Sequence, residues 1–503
     1  MAIRNAPPHA TAMLESLRGL GYTTSTALAD IVDNSISAGA TEIDVWFEWD
    51  GSTSWIRVLD NGIGMDDAEL ETAMRLGAKD PRSMRTATDL GRFGMGLKTA
   101  SFSQARRLTV ASRRKNQQIV CLRWDLDRLS EGADGGWPLF EGPHDGSETA
   151  LMPLSKMAQG TVVLWEMMDR IITEGFTAQH MIDLSDQVEE HLAMTFHRLL
   201  DEGGLVLRIN CRKVAPWDPF LLGHPGKAME TTEYRLVGTV GVVVQAHVLP
   251  HPDMLRPAKT NAAANSAAWT SQQGFYIYRN RRLLVAGGWL GLGERGRAWT
   301  RDEAHRLARI RIDIPNSADA EWKINVLKST ASPPLRLRSQ LQRIAAETRE
   351  RARMVFTHRG RLVPSTNAKT GGVPDLWDTV KTRKGTSYRI SREHDLVASL
   401  LERAGPLKAD VMAVLRLIEE TVPVQRIWLD TAEDRETPTT GFAAASDDDV
   451  RLPLSALFRA LVLHSHLTEE EAKERLLRTH PFERYPGLIA ELTLKDIPTD
   501  DHH

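Results

Sequence analysis

Three clusters of Asp, Asn and Gly in the first hundred residues have the spacing of a chemical site. The first is ALADIVDNSISAGA (27–40). On a helix, Asp30, Asp33 and Asn34 stand at i, i+3 and i+4 and share one face. A carboxamide beside carboxylates can hold Mg2+ through oxygen, while a neighbouring carboxylate orients water. Three polar side chains inside an apolar helical face are costly without partners, although an exposed polar stripe would show the same spacing. The second cluster, VLDNGIGM (58–65), is a strand running into a turn. Asp60 at the strand end is placed to accept a hydrogen bond from a ligand amine, and Gly62 and Gly64 let backbone approach a ligand closely. Asn-Gly is equally a common hairpin turn. The third, DLGRFGMGLKTAS (89–101), sets Gly91, Gly94 and Gly96 ahead of a helix-compatible run that contains Lys98. Backbone N–H groups at such a helix start attract phosphate oxygens, and Lys98 adds positive charge. The Gly and Lys spacing is not that of a Walker A loop, and a lone glycine-rich loop is also ordinary surface.

The elements that must position these residues follow from hydrophobic periodicity. Strands are expected at 42–49, 55–60, 107–112, 119–126 and 161–167, with helices at Thr24 to Ala38, Ala68 to Leu76 and Thr177 to Leu200. The order helix–strand–strand–helix–loop–strands, without crossovers between adjacent strands, predicts an α+β layer rather than a doubly wound parallel sheet. A second unit, 204–360, is expected to hold strands at 205–210, 234–249, 274–280, 281–285 and 308–314 and a helix from Leu335 to Phe356. A linker rich in Pro, Gly, Ser and Thr follows at 361–384. Residues 385–503 read as mainly helical, with one β-like segment, VQRIWLD (424–430), and an acidic loop at Asp447–Asp449; they suit dimerisation or partner docking.

Composition removes whole classes of function. The 503 residues carry a net charge of −3, which excludes a wholesale polycation but not a local basic patch. Two cysteines, Cys121 and Cys211, cannot build a disulfide framework or a cysteine-rich zinc site. The sequence shows neither a ~20-residue apolar run nor a signal-peptide core, so a soluble cytoplasmic protein without membrane contact is expected. The histidines form no HExxH pattern, and His191 and His197 do not share a helix face.

Taken together, in this order and spacing, DxxDN (30–34), DNGIGM (60–65) and GRFGMGLKTAS (91–101), with Gly160-Thr161 before a strand, resemble the GHKL ATPase superfamily of gyrase, the large heat-shock chaperone, histidine kinases and MutL. FGMGLK and the later segments INCRKVAPWDPF (209–220), FYIYRNRRLL (275–284) and INVLKSTASPP (324–334) are most similar to the MORC and MutL-like branch. The resemblance covers about 12 to 355. It implies a Bergerat-type ATP-binding α/β sandwich over 1–203, a ribosomal-S5-like transducer over 204–360, and a helical domain over 385–503. It implies ATP and Mg2+ as cofactors, with Asn34 on the metal and Asp60 on the adenine amino group. Gly62, Gly64, Met65, Gly91, Gly94, Met95, Gly96 and Leu97 would shape the pocket and lid, Lys98 would lie near the phosphates, and Thr161 would support adenine through water. A second-domain lysine, Lys328 or else Lys323, would reach the γ-phosphate.

One position departs from the superfamily. Its hydrolytic members carry Glu where this chain has Asp30, and the shorter side chain withdraws the water-polarising carboxylate by roughly 1 Å, enough to cost on the order of 10²-fold in rate. Slow ATP hydrolysis is the expectation. The segment 77–96, with Arg82, Arg85 and Arg92, reads as a lid, and the resemblance implies ATP-dependent pairing of two chains. Arg279, Arg281 and Arg282, with Arg336, Arg338, Arg343, Arg349, Arg351, Arg353, Arg359 and Arg361, offer a candidate surface for double-stranded DNA, though charge runs often mark solvated helices. The resemblance also brings an association with restriction or phage-defence systems. Two other readings compete: a chaperone-like ATPase acting on protein clients, and a nucleotide-gated binding module that does not hydrolyse. The nicking-endonuclease metal motif of MutL proteins is lacking, so no nuclease is expected.

Overall fold

In the computed structural model the residues described are 9–77, 96–131, 137–222, 229–239, 241–251, 269–294, 296–318, 321–325, 328, 330–357, 375–382, 385–423, 447–479 and 481–494. The chain divides into two compact units, Met1–Leu362 and Val363–His503.

The first unit is built on two sheets. Helices α1 (Ala10–Arg18) and α2 (Thr24–Ser37) precede β1 (Glu42–Glu48) and β2 (Trp55–Asp60), then come α3 (Asp67–Met74), α4 (Gly96–Phe102), β3 (Arg107–Arg113), β4 (Ile119–Asp125), β5 (Phe140–Glu141), α5 (Glu148–Ser155), β6 (Gly160–Glu166), α6 (Ala178–Thr195), α7 (His197–Asp201), β7 (Val206–Ile209) and β8 (Arg212–Lys213). The eight strands lie in the order β5-β4-β3-β6-β2-β1-β7-β8. All pairings are antiparallel except β1 with β7, so the sheet is mixed, as the α+β expectation requires. β1 alternates, burying Ile43, Val45 and Phe47. β6 buries six of its seven residues because Val163 and Trp165 face the main core while Val162 and Leu164 meet Ala150 and Leu154 of α5.

α2 starts at Thr23, whose hydroxyl accepts from Thr26 N–H in a capping box. Its Ala27, Leu28, Ile31 and Val32 enter the main core. The helix expected over Thr177 to Leu200 breaks at Phe196, where φ is −111° and the ring is fully buried; packing of that ring overrides a continuous helix. The strand expected at 205–210 joins the first sheet through Glu42–Val206 and Ile43–Leu207 pairing, so that sheet runs past residue 203.

The second sheet holds β9 (Met229–Glu230), β10 (Tyr234–Arg235), β11 (Val243–Val248), β12 (Gly274–Arg279), β13 (Arg282–Ala286) and β16 (Ala308–Ile314), in the order β10-β11-β16-β12-β13 with β9 against β11. A small hairpin, β14 (Gly293–Glu294) with β15 (Arg297–Ala298), stands apart. The expected strand 234–249 is divided because Gly238 and Gly241, at φ +84° and +77°, turn the chain between β10 and β11. Helix α8 (Leu335–Thr357) covers this sheet with Leu337, Leu341, Ile344, Ala345 and Ala352.

The second unit contains a hairpin, β17 (Trp377–Thr382) with β18 (Gly385–Ile390); β17 lies in the stretch expected to be linker and β18 in the region expected to be mainly helical. Its helices include Asp395–Arg403, Lys408–Thr421, Asp447–Leu463, Glu469–Leu477 and Pro486–Glu491. The acidic stretch at Asp447 is the first turn of a helix, Asp447–Leu463, rather than a loop. The β-like segment 424–430 lies outside the described residues, as do Arg359 and Arg361. Among the described residues no helix is long and apolar enough to cross a membrane.

Candidate nucleotide site

One helix serves both ends of the site. α2 presents Asp30 and Asp33, both buried, to a polar cluster, and Ser35 to the strand end at Asp60. At the Asp60 end, the carboxylate accepts from Ser35 Oγ at 2.7 Å and from Gly62 N–H at 2.9 Å. Burial raises the Asp60 carboxyl above its ordinary range, opposed by the hydrogen bonds from Ser35, Gly62 and Thr161. A carboxylate offers about four acceptor directions, which leaves capacity for an amino donor. Beside it, Met65 N–H donates to Ser112 Oγ at 2.8 Å, and Ser112 Oγ lies 2.8 Å from Thr161 Oγ1.

Two glycines are required by close approach. Gly64 has φ +67°, and a Cβ there would stand 2.0 Å from Arg113 O. Gly160 has φ +146°, and its Cβ would stand 2.2 Å from Asp60 O. No side chain fits either place, so strand and turn close on one another around Asp60. Gly62 is packed against Ala38.

At the other end stand two carboxylates and two cations. Lys328 Nζ lies 3.0 Å from Asp30 Oδ1 and 2.6 Å from Asp33 Oδ2. Arg282 Nε donates to both oxygens of Asp33 at 3.0 Å. Tyr22 donates its hydroxyl to Asp30 Oδ2 at 2.8 Å. Burial would raise the Asp33 carboxyl, but Arg282 and Lys328 outweigh it and hold the group below its ordinary value. Burial, with the Asp30 charge, raises the Tyr22 phenol. His191, on α6, is pushed down to about 4 by burial and by the Arg282 charge, so it is neutral at physiological pH.

Several expectations land at this site. Asp30 and Lys328 meet directly, whereas Lys323 is exposed. Asn34 is exposed on α2; Mg2+ takes few protein ligands and keeps waters and substrate phosphates, and one accessible carboxamide fits that demand. Gly96 opens α4, and a Cβ on it would lie 3.8 Å from Asp30 Oδ2, while Leu97 packs half-buried on the main core. Gly91, Gly94, Met95 and the arginines Arg82, Arg85 and Arg92 lie outside the described residues. Lys98 departs from its expected place beside phosphates: it is buried, and its Nζ donates to Ala73 O at 2.8 Å, in the last turn of α3. A cation there satisfies a helix C-terminal carbonyl.

The basic surface also changes. Arg279, Arg282 and Arg349 are buried. Arg349 pairs with Asp302 and stacks on Trp289 and Trp299, while Arg281 pairs with Glu202 and Arg336 with Glu321. Burial withdraws Arg279, Arg282 and Arg349, so the exposed part of the set is smaller, with Arg281, Arg336, Arg343 and Arg351 remaining in it. Tyr22, Ser35 and Ser112 carried no sequence signal beyond being polar near a motif. Nor did Arg282, whose buried place at the start of β13 only the fold reveals.

Residues 22–161 match the family described as histidine kinase-, DNA gyrase B- and HSP90-like ATPase. That stretch contains Tyr22, Asp30, Asn34, Asp60 and Thr161, and it belongs to this ATPase family. The chain is similar to the DNA mismatch repair protein MutL of Neisseria meningitidis serogroup C, 38% identical over 96 residues, covering 18% of this chain and 14% of MutL. MutL of Rhizobium leguminosarum bv. trifolii is 36% identical over 93 residues, covering 18% and 15%. ATPase MORC2B of Mus musculus is 31% identical over 99 residues, covering 19% and 10%. The likeness thus spans about a seventh or less of each relative's length.

Proposed function

We propose that the chain is a slow, Mg2+-dependent ATPase that works as a conformational switch, of the MORC and MutL-like type. The observation that carries the reading is the meeting of Lys328 with Asp30, which brings a residue from beyond the second sheet onto the helix of the ATPase domain. Asp60 accepts the adenine amino group, with Ser35 and Gly62 holding its carboxylate and Thr161 beside Ser112 lining the same end. Asn34 would hold the Mg2+, which would neutralise phosphate charge. Lys328 moves from the carboxylates to the terminal phosphate, which frees Asp30 Oδ1. Asp30 then accepts a proton from the attacking water while Tyr22 fixes its other oxygen.

The bound state pairs two copies and acts on double-stranded DNA or on a protein partner docked through 385–503, within a restriction or phage-defence assembly. DNA is the first effector to test because two of the three relatives named above are DNA mismatch repair proteins. The chaperone-like alternative acts on protein clients without DNA dependence. Turnover of MgATP by the full chain, with and without double-stranded DNA, tests the reading alongside Asn34→Ala. DNA-stimulated turnover lost in the variant supports it. Turnover indifferent to DNA moves the effector to protein, and tight ATP binding without turnover makes the chain a nucleotide-gated binding module.

A further inference from the structure

Arg282 opens β13 in the second sheet, and its side chain is 5% exposed, against 2% for Asp33. Its Nε is shared by both Asp33 oxygens at 3.0 Å, its Nη1 donates to Leu283 O at 2.7 Å, and its Nη2 lies 3.7 Å from Asp30 Oδ1. The guanidinium carbon stands 5.9 Å from the centre of the Phe196 ring. Among the described residues, Arg282 and Lys328 are the cations within 4 Å of these two carboxylates. The set is balanced: two buried negative charges, two positive.

Movement of Lys328 to a phosphate would break that balance. Without Arg282 the two buried carboxylates would then have no cation, a strongly unfavourable state, and the cost would oppose binding of the very phosphate that Lys328 contacts. Neutral His191 cannot make it good. A rigid guanidinium already seated on Asp33 and close to Asp30 can, because its planar donors are pre-organised for carboxylates.

We propose that Arg282 is a positioning residue of the nucleotide site: it remains on the Asp33–Asp30 pair as their counter-ion, and so allows Lys328 to transfer to the terminal phosphate. The proposal rests on the ATP reading above. It makes the preference for a triphosphate over a diphosphate depend on a residue that touches neither nucleotide.

Calorimetric titration of the full chain with Mg-ADP and with the non-hydrolysable triphosphate Mg-AMP-PNP tests it. The unaltered chain should bind AMP-PNP more tightly than ADP. Arg282→Met should lower that preference about tenfold, within the usual range of coupling between sites, while ADP affinity stays unchanged. Arg282→Lys should recover most of it, and Arg282→Met combined with Asp33→Asn should recover it too, because one carboxylate leaves with one cation. Should Arg282→Met not fold, Asp33→Asn alone should strengthen the preference, since Lys328 loses a carboxylate partner. Equal weakening of both nucleotides, an unchanged preference in Arg282→Met, no recovery in the double variant, or a weaker preference in Asp33→Asn overturns the proposal. Equal affinity of the unaltered chain for both nucleotides overturns it and leaves ATP binding standing; no binding of either overturns the ATP reading with it.

Discussion

Arg282 Nε lies 3.0 Å from both carboxylate oxygens of Asp33, across 249 residues of sequence. The contact ties the first strand-end of the second sheet's β13 to the helix that carries the ATPase motif. Together with Lys328 it means that the second sheet is anchored through buried charge, on the two carboxylates of α2. Breaking such a pair by removing one member typically costs ~3–5 kcal/mol, so changes in this cluster register in stability as well as in turnover.

Tyr22→Phe removes the donor to Asp30 Oδ2 without changing shape. A hydrogen bond to a charged group contributes about 1.5–3 kcal/mol, and loss of the orientation it provides should lower kcat roughly tenfold or more with little change in KM. Steady-state ATP kinetics check this; an unchanged kcat would remove Tyr22 from the positioning of Asp30.

Gly64→Ala should be far more damaging than its size suggests. The new Cβ would stand 2.0 Å from Arg113 O at φ +67°, and both the clash and the backbone strain must be relieved by moving β3 or the turn. A loss on the order of 3 kcal/mol is expected, read as a lower urea midpoint. Gly77→Ala, at φ +68° with nothing within 4 Å, bears backbone strain alone and should lose clearly less.

Acid should weaken the first unit well before ordinary carboxylates titrate. His197 and His247 are each pushed down to about 3, by burial first and by neighbouring arginines second. His197 keeps a 2.9 Å hydrogen bond to Tyr278 Oη, and His247 packs on Phe220. Between about pH 3 and 6.5 the folded form binds fewer protons than the unfolded chain, so stability falls as pH drops below the ordinary histidine value. From pH 6.5 to 5 the loss is up to about 2 kcal/mol for each histidine. Urea titrations at pH 7.5 and pH 5 measure it, and His247→Phe should reduce the difference; equal midpoints at the two pH values would contradict the buried neutral state.

Pairing of two chains should follow the nucleotide. Light scattering in AMP-PNP should give twice the mass found without nucleotide, and Lys328→Met should stay at the lower mass in both. A mass unmoved by AMP-PNP in the unaltered chain would separate nucleotide binding from pairing.

The motif residues were legible because their chemistry is local. Asp30, Asp33 and Asn34 share a face through helical spacing alone, and Asp60 ends a strand whose bounds follow from Trp55 to Asp60 without adjustment. Long-range partners were not legible in that way. Arg282 and Lys98 look like free cations in a sequence; only the fold reveals a buried carboxylate beside one and a helix-end carbonyl beside the other. The edge of the first sheet was misplaced for a similar reason: Val206–Ile209 pairs in parallel with β1, and nothing in its own residues specifies which sheet it joins.

Phosphate release from saturating MgATP by the full chain and by Asp30→Ala, alongside direct ATP binding, decides whether Asp30 is the base of an ATPase. Slow release by the unaltered chain, abolished in Asp30→Ala while ATP remains bound, is the expected result. Release that continues undiminished in Asp30→Ala, or a chain that does not bind ATP, would contradict it.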